Sequence, residues 1–449
     1  MPLQEPCAAA ADGEGGASGD RPGSTAPRTV YFLFLGMGLA TLLPWNLFIS
    51  ASEFFRYQFS GSPQQHLFQN WFSVVYMVTN LASNGYAMLT VTRTSPHSRI
   101  LGALAANTLA YIVGVAMPFM HGARGSASFY IALAQLAVTA ASSGMLVNSL
   151  FALVVHFPAS HSEGLLSGQA VAGVIATAAQ LLTAYSVSPA VDAAPALRPH
   201  GGLVARTVAY FAFATAVNLL LTVAFWRVSR DPYFRLQIKQ AGRPRERPRG
   251  PDTETAGLVS PPAAAAATTA SPLASDVAAF ANTFRQVSGY AYELVLTFAL
   301  TLSVFPSVTA LVTSTSGFRL LTEWHFFIYN VGDLLGRRLA PSVRTTRVSS
   351  LVLAGLLRIL LIPAFFACHL SYSVWYNAIQ SDWVFLALVA LLAMSNGYLS
   401  TSCAMAAPGL STHPTIAGTI VGISISSGLA LGSLLSWPVR SAGCLCLPF

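Results

Sequence analysis

Charge is what this chain has least of. Only 9% of its 449 residues are Asp, Glu, Lys or Arg, while 54% are hydrophobic. A soluble globular domain carries about 25% charge, so that class is excluded. Cysteine is also scarce. Cys7, Cys368, Cys403, Cys444 and Cys446 are scattered and odd in number, and the Cys444–Cys446 pair would close too short a loop, so free thiols are expected. No Asn-x-Ser/Thr sequon, H-E-x-x-H, Walker-type glycine loop or G-x-S-x-G occurs. His156 and His161 have no carboxylate at ligand spacing, so neither a metal nor a cofactor is expected. Without an ATP site, any solute movement must run on the solute's own gradient or on ions.

What is present in abundance is apolar runs of bilayer-crossing length, about 20 residues each. They fall at 29–50, 69–92, 100–120, 127–156, 165–187, 206–226, 287–312, 324–342, 349–368, 383–405 and 415–437, eleven in all. Backbone amides must be satisfied internally in lipid, so helix-length runs predict an all-α polytopic membrane protein. The fourth run outruns the hydrocarbon thickness and should tilt or begin outside it. Residues 1–28 lack the apolar core of a signal peptide, so they are expected as a disordered cytosolic tail, with the first span acting as anchor.

The net charge of +8 suggests nucleic acid only until its distribution is read. Arg21, Arg28, Arg93, Arg99, Arg344, Arg347 and nine basic residues between 227 and 286 fall on one side; Arg56, Arg124, Arg198, Arg206, Arg319 and Arg440 fall on the other. That bias places the N-terminus in the cytosol and, with an odd span count, the C-terminus outside. It orients the chain in a bilayer and needs no nucleic-acid partner. Residues 227–286 form the long hydrophilic stretch, with GRPRERPRGP followed by SPPAAAAATTASPLAS, and read as a disordered cytosolic loop. The loop divides the spans six plus five, a first bundle over 29–226 and a second over 287–449, the layout of carriers that hold substrate between two halves.

Against so little charge, Asn330, Asp333, Arg337 and Arg338 inside the eighth span are conspicuous. Asn330, Asp333 and Arg337 share one helix face by their three- and four-residue spacing. Ionisable groups at bilayer depth are expensive and line polar pathways, although a pair that only locks helices together is the competing explanation. In the first span, Pro44 frees a backbone carbonyl beside the flat face of Trp45, a residue that an interfacial aromatic belt would equally supply. The second span steps Tyr76, Asn80 and Asn84 along one face, and the fifth carries Gln169 between Gly168 and Gly173. Gly418 with Gly422, and Gly428 with Gly432, are small-xxx-small pairs suited to tight helix packing.

These segments resemble a known family. TLLPWNLFISA, PASHSEGLLSGQAVAG, FPSVTALV, YNVGDLLGRRL, SNGYLSTSCA and AGTIVGISISSGLALGSLLS are similar, in order across about residues 30–440, to equilibrative nucleoside transporters, with wording nearest the fungal vacuole-type branch. The resemblance implies an eleven-helix fold related to the major facilitator superfamily and nucleoside movement by alternating access, with no enzymatic activity. It implies that Asp333 and Arg337 meet sugar hydroxyls with Asn330 in support, and that Leu42, Trp45 and Leu429 wall the base. It further implies that Gly168 and Gly173 serve helix contact, and that the membrane is the plasma or the vacuolar/lysosomal one. One departure stands out. Where many members carry a base-reading glutamine in the fourth helix, this chain has Val147, with Asn148 beside it. Either Asn148 or Gln169 substitutes, or base selectivity is altered, which leaves a nucleobase or organic-cation carrier, proton-coupled, as the alternative.

Overall fold

The computed structural model describes residues 27–65, 68–91, 93–120, 125–186, 200–241, 272–370, 373 and 377–443. Its elements are helices, with isolated β-bridges between Val312 and Leu370 and between Cys368 and Ile379. In chain order they are α1 (Pro27–Ser50), α2 (Ser52–Gln58), α3 (Phe68–Leu89), α4 (Pro96–Ala116), α5 (Ser126–Val154), α6 (Ala159–Ser186), α7 (His200–Val228), α8 (Pro232–Ala241), α9 (Pro272–Val304), α10 (Leu321–Leu339), α11 (Val348–Leu357), α12 (Leu361–Phe366), α13 (Asp382–Ala406) and α14 (Pro414–Gly443). A 3-10 turn, Arg358–Leu360, joins α11 to α12 into one membrane-length rod.

Local chemistry sets several boundaries. Ser95 caps α4 by accepting from the Ser98 amide, with Pro96 in the first turn, where its missing N–H is no loss. Ser381 caps α13 in the same way, accepting from the Val384 amide.

Among the described residues, nine helices are long and apolar enough to cross a membrane. A helix also stands at the two remaining expected positions, α3 and α10, and these are the polar ones. The asparagines dilute α3, while Glu323, Asp333, Arg337 and Arg338 sit in α10. The fourth span is a single 29-residue helix, α5.

The hydrophilic stretch 227–286 differs from expectation at both ends. Helix α8 follows the sixth span almost at once, because Phe234 is buried against Phe157, with ring centroids 5.0 Å apart. Helix α9 begins at Pro272, fifteen residues before the expected 287, because its early turns are amphipathic: Thr283 is fully buried and Phe280 and Phe284 pack on the core. Low average hydropathy hid these one-sided anchors. The rest of that loop, 242–271, and the tail up to residue 26 lie outside the described residues.

Three apolar clusters hold the bundle. The largest spans both halves through Met37, Leu150, Leu294, Leu399 and Ile420. A phenylalanine cluster at one end of the first half includes Phe48, Phe55, Phe59, Phe72 and Phe129, with Phe48 and Phe55 stacked at 5.5 Å. The third, around Phe365, Phe385 and Val389, belongs to the second half. α10 runs antiparallel to α6, and α14 packs on α5 and α3.

Candidate functional site

The α6–α10 seam can be followed along its length. Trp324 Nε1 donates to the Tyr185 hydroxyl at 3.1 Å near one end. In the middle, Asn330 lies over Gly173, where a Cβ would stand 1.9 Å from Asn330 Oδ1. At the other end Arg338 Nε is 3.5 Å from Glu163 Oε1, and Tyr31 of α1 donates to Glu163 Oε2 at 2.9 Å. Asn330 Nδ2 is turned back on its own helix, donating to the Phe326 carbonyl at 2.9 Å.

One turn further on, Asp333 and Arg337 are buried, 6% and 4% exposed, too little for water to screen either charge. Asp333 Oδ2 accepts from Arg337 Nε at 2.7 Å, and Oδ1 accepts from Asn396 Nδ2 of α13, also at 2.7 Å. Each carboxylate oxygen accepts one of these bonds and keeps a lone pair, while Arg337 Nη1 is buried without a hydrogen-bond partner. A buried guanidinium N–H left unpaired is costly, so this one is a donor waiting for an oxygen. Close contact between α10 and α13 makes the pairing possible: a Cβ at Gly397 would lie 2.0 Å from the Asp333 carbonyl, and one at Gly336 2.1 Å from that of Met394.

The polar chain continues past Asn396. Its Oδ1 accepts from Thr301 Oγ1 at 2.9 Å, and Thr301 in turn accepts from Arg358 Nη2 at 2.6 Å. Arg358 is 5% exposed and also donates from Nε to Ser395 Oγ at 2.9 Å and from Nη1 to the Thr297 carbonyl at 3.1 Å. Sequence reading passed over Arg358, Asn396 and the buried Glu293 of α9. The signal was available: Arg358 and Glu293 are charges inside otherwise apolar runs, the same criterion that singles out Asp333.

The remaining expected residues divide. Leu42 and Trp45 are half-buried on α1, with Trp45 tilted against Tyr76 at 4.9 Å. Leu429 is half-buried on α14 and packs on the large core. Gln169 is buried in the α1–α6 contact, donating to Thr41 Oγ1 at 3.2 Å. Val147 is 8% exposed within the apolar cluster. Asn148 is fully buried in a polar knot between the halves: its Nδ2 donates to Asn84 Oδ1 at 2.9 Å, while Asn84 Nδ2 donates to Ser426 Oγ at 2.6 Å. Asn148 Oδ1 keeps no partner. Asn80 donates to the Ala140 carbonyl at 3.2 Å, so α3 directs its amides at neighbouring helices.

The glycines mark the closest approaches. A Cβ at Gly168 would stand 1.8 Å from the Leu35 carbonyl, one at Gly418 2.2 Å from that of Phe151, and one at Gly432 2.7 Å from that of Ala299. Gly428 would meet Phe298 and Val295 at 2.9 Å, whereas Gly422 has 3.4 Å of room. His156, between α5 and α6, is tied to Thr415 Oγ1 at 3.1 Å, and burial pushes its ring below the usual histidine pKa. Among the described residues no group of three His, Cys, Asp or Glu side chains could hold a metal ion.

A nucleoside transporter family model matches residues 133–441. The chain is 29% identical to equilibrative nucleoside transporter 2 of Mus musculus, over 92% of this chain and 98% of that protein. It is 25% identical to equilibrative nucleoside transporter 1 of Homo sapiens, over 92% and 97%. Among solved structures, the major facilitator superfamily transporter FucP in the outward conformation superposes with a TM-score of 0.54 at 13% identity, covering 93% of this chain and 96% of that one. The proton:xylose symporter XylE gives 0.53 at 12% identity, covering 92% and 87%. At such identities the two structures establish a shared fold.

Proposed function

The chain belongs to the nucleoside transporter family, and from that premise we propose that it carries nucleosides across a membrane, down their gradient, by alternating access between two helix bundles. The observation that carries this reading is Arg337 Nη1, buried and unpaired beside a carboxylate anchored on α13. A ribose offers what this pair lacks: hydroxyl and ring oxygens to accept from the guanidinium, and hydroxyl protons for the carboxylate. Leu42, Trp45 and Leu429 wall the base, and Asn330 orients the sugar site from the seam with α6. The family is one of transporters, so the buried Asp is a binding group and not an acid–base catalyst.

The arrangement we favour has eleven crossings, six in 29–226 and five in 287–449, with α3 and α10 included because each is helical and of crossing length. Excess Arg on one side favours a cytosolic N-terminus, and the membrane is the plasma or a vacuolar/lysosomal one. Uptake of labelled uridine into proteoliposomes tests the function directly. Saturable uptake, inhibited by excess adenosine and needing no ATP, is expected. Purified, folded protein that carries no nucleoside would overturn it.

A second reading has one specific observation behind it. Val147 sits in apolar surroundings and cannot read a base edge, and the Asn148 amide nitrogen is taken by Asn84, which leaves only its Oδ1 acceptor. Selectivity relaxed towards nucleobases would follow, and a competition panel containing adenine and an organic cation would reveal it.

A further inference from the structure

Glu293 is a buried carboxyl that the substrate site does not use. It lies on α9, 1% exposed, in a notch left by Gly355 of α11, where a Cβ would be 2.3 Å from its Oε1. Oε1 accepts from Thr297 Oγ1 at 2.9 Å, and Oε2 has no hydrogen-bond partner. The groups facing it are the Arg358 guanidinium from the α11–α12 rod and the Cys403 thiol from α13. Tyr290 stands one turn before it on α9, and α14 carries no charge except Arg440 near its far end. Arg358 directs its hydrogen bonds to Ser395, Thr297, Thr301 and Leu392, so it offers Glu293 charge without a bond.

Hydrogen bonds connect this carboxyl to the substrate site. They run from Glu293 to Thr297, from the Thr297 carbonyl to Arg358, then through Thr301 and Asn396 to Asp333. With both carboxyls ionised, Glu293 and Asp333 together balance Arg337 and Arg358. A proton entering this cluster has a preferred destination. Asp333 is held by two donors, one of them cationic, whereas Glu293 has a single neutral donor.

A cavity of about 250 Å³ is lined by Thr345, Thr346, Ser402 and Met405 among others. The Thr346 carbonyl at its wall accepts from the hydroxyl of Tyr290, one turn before Glu293 on α9.

We propose that Glu293 is a proton-binding site that sets how tightly the Asp333–Arg337 pair holds its substrate. The step is protonation alone: a water-borne proton bonds to a carboxylate oxygen, the carboxylate becomes a carboxylic acid, and the donor remains as water. The buried cluster then changes from neutral to singly positive. Arg337 Nη1, with less negative potential competing for it, donates more strongly to a substrate oxygen, so affinity rises in acid.

This inference rests on the nucleoside-carrier reading, and the experiment separates the two. Uridine KM is measured in proteoliposomes at matched internal and external pH, acidic and neutral. Wild-type KM is expected to fall several-fold in acid. Glu293→Gln, which mimics the protonated group, should show the acid value at both pH values, while Glu293→Asp should keep the dependence. Thr297→Val removes the one donor to the carboxylate and should move the midpoint of the KM profile to higher pH, which keeps the test decisive if Glu293→Gln fails to fold. A wild-type KM that ignores pH, a dependence surviving in Glu293→Gln, or an unmoved midpoint in Thr297→Val would overturn the proton site. Absence of uridine uptake at every pH would instead overturn the carrier reading.

Discussion

At the scale of single residues, Asp333 does two jobs: it neutralises Arg337 and anchors α10 to α13 through Asn396. Asp333→Asn keeps the size but turns an acceptor oxygen into a donor facing two existing donors. It should raise uridine KM about tenfold or more, equivalent to about 1.4 kcal/mol, with the protein still reaching the membrane. If the pair were only a lock, the double change Asp333→Leu with Arg337→Met would be tolerated, as buried pairs often tolerate apolar replacement. We expect a folded double variant without uridine uptake; normal uptake would remove the pair from the binding site. Position 147 supports a second residue-scale expectation. Val147→Gln introduces an amide that some base edges can satisfy and others cannot, so competition among nucleosides should sharpen by about 1–3 kcal/mol. An unchanged competition profile would show that the position faces away from the substrate.

At the scale of elements, the helices are held by backbone contacts that leave no room for a side chain. Gly168 is the tightest: a Cβ added there would stand 1.8 Å from the Leu35 carbonyl across the α1–α6 contact. Gly168→Val should therefore lower stability by about 1–3 kcal/mol or more, read as a loss of melting temperature in detergent. The control is Gly102 on α4, which has open space around it. There Gly102→Ala should be neutral or stabilising by up to about 1 kcal/mol, because alanine is the better helix former. Equal destabilisation at both positions would mean that the α1–α6 approach is looser than the structure has it. Sequence pattern located the helices well where an apolar run coincided with a helix, as in α5 and α13. It placed the start of α9 too late and left α8 out, because each is anchored by one or two aromatics on an otherwise polar segment.

At the scale of the whole molecule, Arg338, Glu163 and Tyr31 tie α10, α6 and α1 together. The Arg338 side chain is half-exposed, so its attraction is screened and its effect on global stability should be small. Its effect on the conformational equilibrium of the proposed carrier should be larger, because opening this end of the α6–α10 seam would break the contact. Arg338→Ala is expected to speed thiol labelling of a cysteine introduced at Thr346 while leaving the melting temperature nearly unchanged. Labelling at the wild-type rate would show that this end opens independently of the contact. Removal of residues 246–268 should leave uridine uptake intact at equal membrane abundance, since α8 and α9, which pack on the core, are retained. Loss of uptake would give that segment a part in gating.

Composition and the order of apolar runs determined by themselves that this is a helical membrane protein, and the ordered blocks pointed to its family, because bilayer depth forbids uncompensated backbone and charge. The same rule singled out Asp333, Arg337 and Asn330, whose spacing on one helix is local and readable. Tertiary structure alone decided who meets them. Asn396 and Arg358 come from other spans, and no spacing in the chain encodes that Asp333 bonds to α13, that Asn148 bonds to Asn84, or that Glu293 keeps an oxygen without a donor. Those pairings depend on which helix faces touch and at what height. That is settled by the fit of glycine-lined backbones such as Gly397 against Asp333, a property of the packed bundle that no single segment contains.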